Sequence, residues 1–491
     1  MKALYRTTSL CRSCKNALPA EVVSSAEGEV FLRKTCPEHG DQEVKLSTDV
    51  DWYLRTRAEE PRLVAPRRER HEVKHGCPFD CGPCEQHEQT VRLPVVTITS
   101  ACNLDCPICY VHNKNKDPFH MPVSDFERLL THLKREHGEI DIVNFTGGEP
   151  LLHPEFAEFL RLSGEAGVHR VTICSNGIRL ARDEELVKRL ADAGARVALS
   201  FDTFDRAVDY ELQGAKLLDL KLRCLELLEK HAVDTTLIPV MTKGLNDHEI
   251  GRILELAFKT RCVRHVEVHT ITFTGQGGTS FSRERRISMV EVLDAIAATT
   301  GGLLGRDDFV SSPCAHPLCY QIAYLLLDPE GGPPIPFSRF LPRETISECL
   351  ADRLYMEPSR KLERALLEAI DRLWASESGE SERTLRILKR LLKDLFPRDR
   401  VMTQREALRI SEVASKAVYV HSHMDEETFD TERIVSCCDS NCYADGSTIP
   451  VCAYNVLYRD KEEHFMLKPM TWSARSGGQK SLRAGRLPVL P

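Results

Sequence analysis

The chain has no run of eighteen apolar residues, so no stretch of it reads as a membrane-spanning helix. Its first ten residues hold no apolar signal core, and the expectation is a cytoplasmic protein. The net charge of −7 gives no electrostatic reason to expect nucleic acid as a partner. No internal repeat stands out beyond one doubled cysteine pattern, and no segment reads as a peptide-clasping module. With 491 residues, 42% apolar and 28% charged, the chain has room for two to four soluble domains, one with a substantial core.

Cysteine is present in excess. Nineteen cysteines in a cytosolic chain read as metal ligands rather than disulfides, and they are clustered as ligands must be. Residues 1–45 carry Cys11-x2-Cys14 and, after a strand-like stretch at Glu29–Lys34, Cys36-x2-His39. Three thiolates and one imidazole close a tetrahedron, the pattern of a small zinc ribbon, with a single iron as the other occupant. The ribbon lacks a basic-aromatic face, which argues against nucleic-acid binding. Residues 46–93 are polar, with a basic run at 67–75 that reads as a solvated linker. The linker ends in Cys77, Cys81 and Cys84, a C-x3-C-x2-C pattern.

The same pattern returns at Cys102, Cys106 and Cys109, and here Gly147-Gly148-Glu149-Pro150 follows. Three cysteines hold a 4Fe–4S cluster while leaving one iron without a protein ligand, which favours chemistry over electron storage. Glycines at 147 and 148 permit a backbone turn that approaches a ligand closely. Residues 94–310 read as one unit, in which 94–275 alternate β-rich runs with amphipathic helices and 276–310 are a Gly-rich loop and a helix. The predicted strands are Val95–Thr99, Ile140–Phe145, Arg170–Cys174, Arg196–Phe201, Thr235–Val240 and His265–Ile271. Strand–helix repetition implies parallel strands with right-handed crossovers, an α/β fold with its reactive groups at the carboxyl ends of the strands.

The triad followed by the GGEP turn resembles the radical S-adenosylmethionine (SAM) superfamily, although Ile108 stands where that family usually has an aromatic. The resemblance implies a partial (β/α)6 TIM-type barrel. It also implies that the open iron of a 4Fe–4S cluster chelates SAM, and that one electron from a low-potential donor cleaves SAM to a 5′-deoxyadenosyl radical. Glu149 in the turn, Asn176 after the third strand, and Ser200 and Asp202 at the end of the fourth are the expected SAM contacts, with helix N-capping as the ordinary alternative for the last three.

Residues 311–460 form a cysteine-rich C-terminal region, and 461–491 read as a flexible tail. Cys174, Cys224, Cys262 and Cys349 are expected in the core. That leaves Cys77, Cys81, Cys84, Cys314, Cys319, Cys437, Cys438, Cys442 and Cys452, one thiol more than two auxiliary 4Fe–4S clusters need, with adjacent Cys437 and Cys438 as rivals for one position. Residues 360–374 and 383–396 read as amphipathic helices, the second one basic. Such a helix packs on a core, walls an apolar tunnel or lies on an anionic membrane as a peripheral contact. His421, His423 and Asp425 read as substrate-binding or proton-donating groups, or as an ordinary buried polar cluster.

Taken with the ribbon, "HGCPFDCGPCEQHEQ", "CAHPLCY", "HMDEETFDTERI" and "YADGSTIPVCAYN", the chain resembles the class D radical SAM methylases, a group with dihydro-hydroxymethylpterin methyltransferase-like members and tetraether lipid synthases. The resemblance implies hydrogen abstraction and C–C bond formation on a small-molecule or lipid substrate, as pterin C-methylation or lipid-tail coupling. Peptide modification and a non-catalytic iron–sulfur scaffold are the other readings.

Overall fold

The computed structural model describes residues 1–67, 72–81, 84–111, 118–375 and 379–459. The expected tail at 461–491 and residues 68–71 of the basic run lie outside these residues. The amino-terminal segment forms an antiparallel meander of four strands, β1 (Lys2–Leu10), β2 (Ala17–Ser24), β3 (Val30–Cys36) and β4 (Gly40–Ser47). Alternation along β3 buries Val30, Leu32 and Cys36 on one face, as a half-buried strand requires.

The six β-rich runs become six adjacent parallel strands. They are β5 (Leu93–Thr99), β6 (Ile142–Gly147), β7 (Arg170–Ser175), β8 (Arg196–Ser200), β9 (Thr235–Ile238), continued by the short β10 (Val240–Met241), and β11 (Val263–Thr270). Helices cross between them. In Val123–His137, the 3–4 spacing of Phe126, Leu129, Leu130 and Leu133 puts all four in the core against Phe145 and Phe159. Each such buried side chain contributes about 2 kcal/mol of transfer free energy.

The carboxyl-terminal region is woven into both edges of this sheet. Its strands are β12 (Val310–Ser311), β13 (Tyr320–Leu326), β14 (Ile335–Pro336), β15 (Ser415–His421), β16 (Asp439–Cys442) and β17 (Thr448–Pro450). β15 lies parallel beside β11, β13 runs antiparallel beside β15, and β16 lies parallel beside β5. The Tyr320 hydroxyl donates to Asp439, so a side-chain clasp joins β13 to the start of β16 across the open side of the barrel.

Helices Arg360–Trp374 and Gly379–Leu395 spend their apolar faces on a second core. Leu362, Leu366, Ile370, Leu388 and Leu395 pack there with Tyr324 and Phe337 of the β13 layer. Their amphipathicity is thus used in packing. Among the described residues, no helix is long and apolar enough to cross a membrane.

The acidic segment 425–432 works as a clasp between modules. Asp425 and Glu427 take Arg286 at 2.7 Å each, Glu426 takes Lys15 of the ribbon at 2.9 Å, and Asp430 accepts from Thr7 at 2.5 Å. Buried Lys34 donates to Ser9 and to the carbonyls of Glu426 and Glu427. Asp425, a candidate substrate group by sequence, has its carboxyl held down to about 2. Burial opposes ionisation there, but Arg286 and backbone N–H groups outweigh it.

Candidate functional site

Parallel pairing brings the carboxyl ends of β5 to β9 and β11 to one end of the sheet. The cysteine triad leaves β5 there, Gly147-Gly148-Glu149 leaves β6, Asn176 leaves β7, and Ser200 with Asp202 ends β8. All the residues expected around SAM therefore meet at one end.

The triad loop is fixed by its backbone. Cys109 N–H donates to Cys106 O, Ile108 N–H to Leu212 O, and Gly277 N–H to Cys109 O. The side chain of Gln276 donates to Cys106 O at 3.0 Å. A Cβ on Gly275 would lie 2.3 Å from Tyr110 backbone, so this glycine lets the short helix Gly275–Ser280 press against the cysteine loop. The sequence reading took this stretch as a glycine-rich loop and missed that role.

The two glycines of the GGEP turn have a similar use. Gly147 has φ +143°, and a Cβ there would lie 1.9 Å from Thr99 O; a Cβ on Gly148 would lie 2.3 Å from Ala101 O. The turn is tied to the same backbone by Gly148 N–H to Thr99 O and Glu149 N–H to Ala101 O. The close approach expected toward a ligand is made toward the strand end that carries Cys102.

Glu149 is buried, accepting from Asn176 N–H at 2.8 Å and Leu151 N–H at 3.3 Å. Burial pushes its carboxyl up to about 7 although those N–H groups pull it down. Asn176 bonds Asn103 through its amide at 2.7 Å and accepts from Ile178 N–H, coupling β7 to the cysteine loop. Ser200 is half-buried at the end of β8.

Asp202 is already engaged. One oxygen accepts from Val240 N–H at 2.9 Å, and the other accepts from Gln213 at 2.6 Å and Lys221 at 3.5 Å. Gln213 in turn accepts from the Cys106 thiol at 3.3 Å. This buried relay links Asp202, an expected SAM contact, to the triad through Gln213. Asp202 and Lys221 are both nearly fully buried, so each neutralises the other.

The triad offers three thiols and no fourth cysteine in its loop. Burial pushes Cys102 up to about 12, and burial with the neighbouring Cys109 and Cys102 thiols pushes Cys106 up as well. Three thiols raised in this way ionise together only when a cation collects them. The donor set fits an iron–sulfur cluster with one open iron.

The ribbon quartet is tighter. Cys14 and Cys36 sulfurs are 3.8 Å apart, and His39 Nδ1 is 3.7 Å from Cys11 and 3.4 Å from Cys36. Tetrahedral zinc demands about 3.8 Å between sulfurs and about 3.6 Å from sulfur to nitrogen. Gln42 donates to Cys11 at 3.1 Å, the outer contact that orients a ligand. These four residues fit zinc.

None of the nineteen cysteines is in a disulfide. Cys224, Cys262 and Cys349 are core residues as expected; Cys174 is half-buried, bonded to Asn144 at 3.2 Å. Cys77, Cys81 and Cys84 line one small cavity with Ser440 and Thr448. Cys314 and Cys438 are 3.8 Å apart, with Cys319 in the same group. Cys437 and Cys452 instead pack with Cys77 and Cys81, so the adjacent pair Cys437 and Cys438 is divided between two groups. Cys442 lies in the main core. Arg433 donates to Cys319 Sγ at 3.4 Å.

The sequence reading also missed Glu267 and His269. The parallel register sets His421 of β15 beside His269 of β11, and Glu267 lies two residues back on the same face. The available signal was alternation of ionisable residues, Glu267-x-His269 and His421-x-His423, at two strand ends.

Comparison with known proteins gives the class first. Residues 96–257 match the radical SAM superfamily, and residues 3–48 match the HMPTM N-terminal zinc ribbon domain. The chain is a radical SAM enzyme of mixed α/β fold, with a partial barrel and a zinc-ribbon module. It is 27% identical over 501 residues to the 7,8-dihydro-6-hydroxymethylpterin dimethyltransferase of Methanocaldococcus jannaschii, covering 95% of this chain and 96% of that protein, which makes it methyltransferase-like. It is 31% identical over 218 residues to the GTP 3',8-cyclase of Chlorobaculum tepidum, covering 42% of this chain and 64% of that protein. Among solved structures, Streptococcus suis SuiB bound to S-adenosylmethionine aligns at 20% identity with a TM-score of 0.38, over 43% of this chain and 47% of that one, a likeness too distant to bear on the substrate.

Proposed function

We propose that this enzyme C-methylates a pterin-type heterocycle. The observation that supports this substrate over a lipid tail is the polarity of the sheet end. Glu267, His269 and His421 stand together on β11 and β15, and the Asn144–Cys174 hydrogen bond joins β6 to β7. An alkyl chain would bury this polar cluster against hydrocarbon, which solvates none of it. A heterocycle with ring nitrogens, an amino group and a carbonyl would pair with such groups, directly or through an ion that they hold. The full-length similarity to a pterin dimethyltransferase agrees with this reading.

Cys102, Cys106 and Cys109 hold the cluster in this reading, and Gly147, Gly148, Glu149, Asn176 and Ser200 shape the SAM pocket, with Asp202 as a positioning residue through Gln213. When bound, cluster and SAM supply a 5′-deoxyadenosyl radical that removes hydrogen from carbon. Glu149 would pair with the SAM ammonium, and the loop backbone would keep the triad at its spacing. Two auxiliary clusters drawn from the nine remaining cysteines would relay electrons from a low-potential donor in the cytoplasm. The new carbon would come from a methylene-pterin, and the test is anaerobic incubation of reconstituted protein with SAM, reductant, a methylene-pterin and either a pterin or a lipid pool, read by mass spectrometry. A methylated pterin with 5′-deoxyadenosine is the expected result, and a coupled lipid would replace this reading.

A further inference from the structure

We infer that His269, His421, His423 and Glu267 form a mononuclear site for a divalent transition ion of the zinc class, with nitrogen and oxygen donors only. Each of the three rings offers a nitrogen, and these lie within 4.8 Å of one another. Glu267 Oε1 lies 3.1 Å from His269 Nε2 and 3.5 Å from His421 Nδ1. Tetrahedral nitrogen and oxygen donors around zinc stand about 3.4 Å apart, so these edges already match. The strand period and the register that pairs His421 with His269 set the donors on one face.

A second observation points the same way. His421 Nδ1 is buried and makes no hydrogen bond. Such a nitrogen is costly to leave unused. A neutral imidazole offers an ion one nitrogen lone pair, so each of the three rings can supply one donor. Tyr320 stacks on His421 at 3.6 Å between centroids, and Asp439 lies 4.0 Å from its Nε2, contacts of the kind that orient a ligating ring. His423 faces Cys452 through Nδ1 at 3.7 Å, and its Nε2 remains for the ion. Three imidazoles and a carboxylate select zinc, with iron(II) next, over magnesium or calcium. With four protein donors in place, the ion polarises an oxygen or nitrogen of a bound substrate only by taking it as a fifth ligand. The inference does not depend on which substrate the enzyme methylates.

The test uses the full chain with its iron–sulfur sites filled, loaded with Zn2+ and desalted. Zinc is counted by elemental analysis, and its donors are read by X-ray absorption at the zinc edge. Two zincs per chain are expected, with sulfur as three of eight donors, since the ribbon supplies Cys11, Cys14, Cys36 and His39. Replacing His269 and His421 by alanine should remove one zinc and leave a sulfur-rich shell. Cys14→Ser should remove the other and leave a shell of nitrogen and oxygen only. One zinc in the parent, or a second zinc retained in the histidine variant, overturns the proposal. The donor ratio of the parent decides the matter even where a variant fails to fold.

Discussion

The ribbon and the cysteine triad both gather thiols, and they do so in opposite ways. In the ribbon, four donors stand 3.4–3.8 Å apart in the edges that are measured, and the site is closed around a single ion. Its cysteines come from two hairpin turns of one small sheet, so local structure alone assembles it. The triad has three thiols in one loop, and its remaining side is built from elsewhere: the Gly147–Glu149 turn, Asn176 and the Gly275–Ser280 helix. A closed set stabilises a fold. An open set, cradled by backbone from several strands, leaves a position for a small molecule.

Exchanging damage between the two sites should separate them. Cys102→Ala, Cys106→Ala or Cys109→Ala should each abolish 5′-deoxyadenosine formation, read by mass spectrometry, while zinc per chain stays unchanged. Cys14→Ser should do the reverse to the metal, removing one zinc per chain and exposing β1 to β4 to hydrogen exchange, with the triad's iron retained. Retained SAM cleavage in any triad variant would refute the triad's role. A zinc content that falls with the triad would erase the distinction between the sites.

A smaller effect is expected one layer out. Gly148→Ala places a methyl 2.3 Å from Ala101 O, and that backbone leads directly to Cys102. The turn must shift, at a cost on the order of 1–3 kcal/mol, which reads as roughly a 10- to 100-fold weaker hold on SAM. Isothermal titration of the reconstituted protein would measure it. The equivalent change at the exposed turn residue Gly40, where a Cβ meets nothing within 4 Å, tests only the local φ of +68° and should leave SAM binding untouched.

The same contrast governs what was legible in the sequence. The ribbon and the triad announce themselves because their ligands are close in the chain, and the six parallel strands because each β-rich run is flanked by an amphipathic helix. β15 and β16 were not legible. They pair with β11 and β5 across more than a hundred intervening residues, and a short strand carries no local record of its partner. Asp202 is expected at SAM because a short polar group at a strand end can bond its hydroxyls and carboxylate; its engagement with buried Gln213 and Lys221, from the two helices that follow, has no local signal in the chain. Glu267 and His269 went unmarked because a lone ionisable residue in a strand means little until the neighbouring strand supplies His421.

The smallest effect is also the most specific to the open site. Glu149 has a folded-state carboxyl raised to about 7 from 4.5, mainly by burial. The folded state therefore binds its proton more tightly than the unfolded chain does. The stability this proton gives is complete below about 4.5, falls as pH rises toward 7, and is flat beyond, a change of about 3 kcal/mol at most. Glu149→Gln is neutral throughout and escapes that loss. Relative to wild type, the variant should gain stability between pH 5 and pH 8, measured as the difference in thermal midpoints of the cluster-loaded proteins without SAM. A gap that is equal at both pH values would mean that Glu149 is not held protonated. Saturating SAM should then shrink the tilt, because an ammonium seated against the carboxylate favours its ionised form and lowers its folded-state pKa. An unchanged tilt with SAM bound would place the ammonium elsewhere and leave Glu149 as a strut between the β6 turn and Asn176, as closed in its role as the ribbon is.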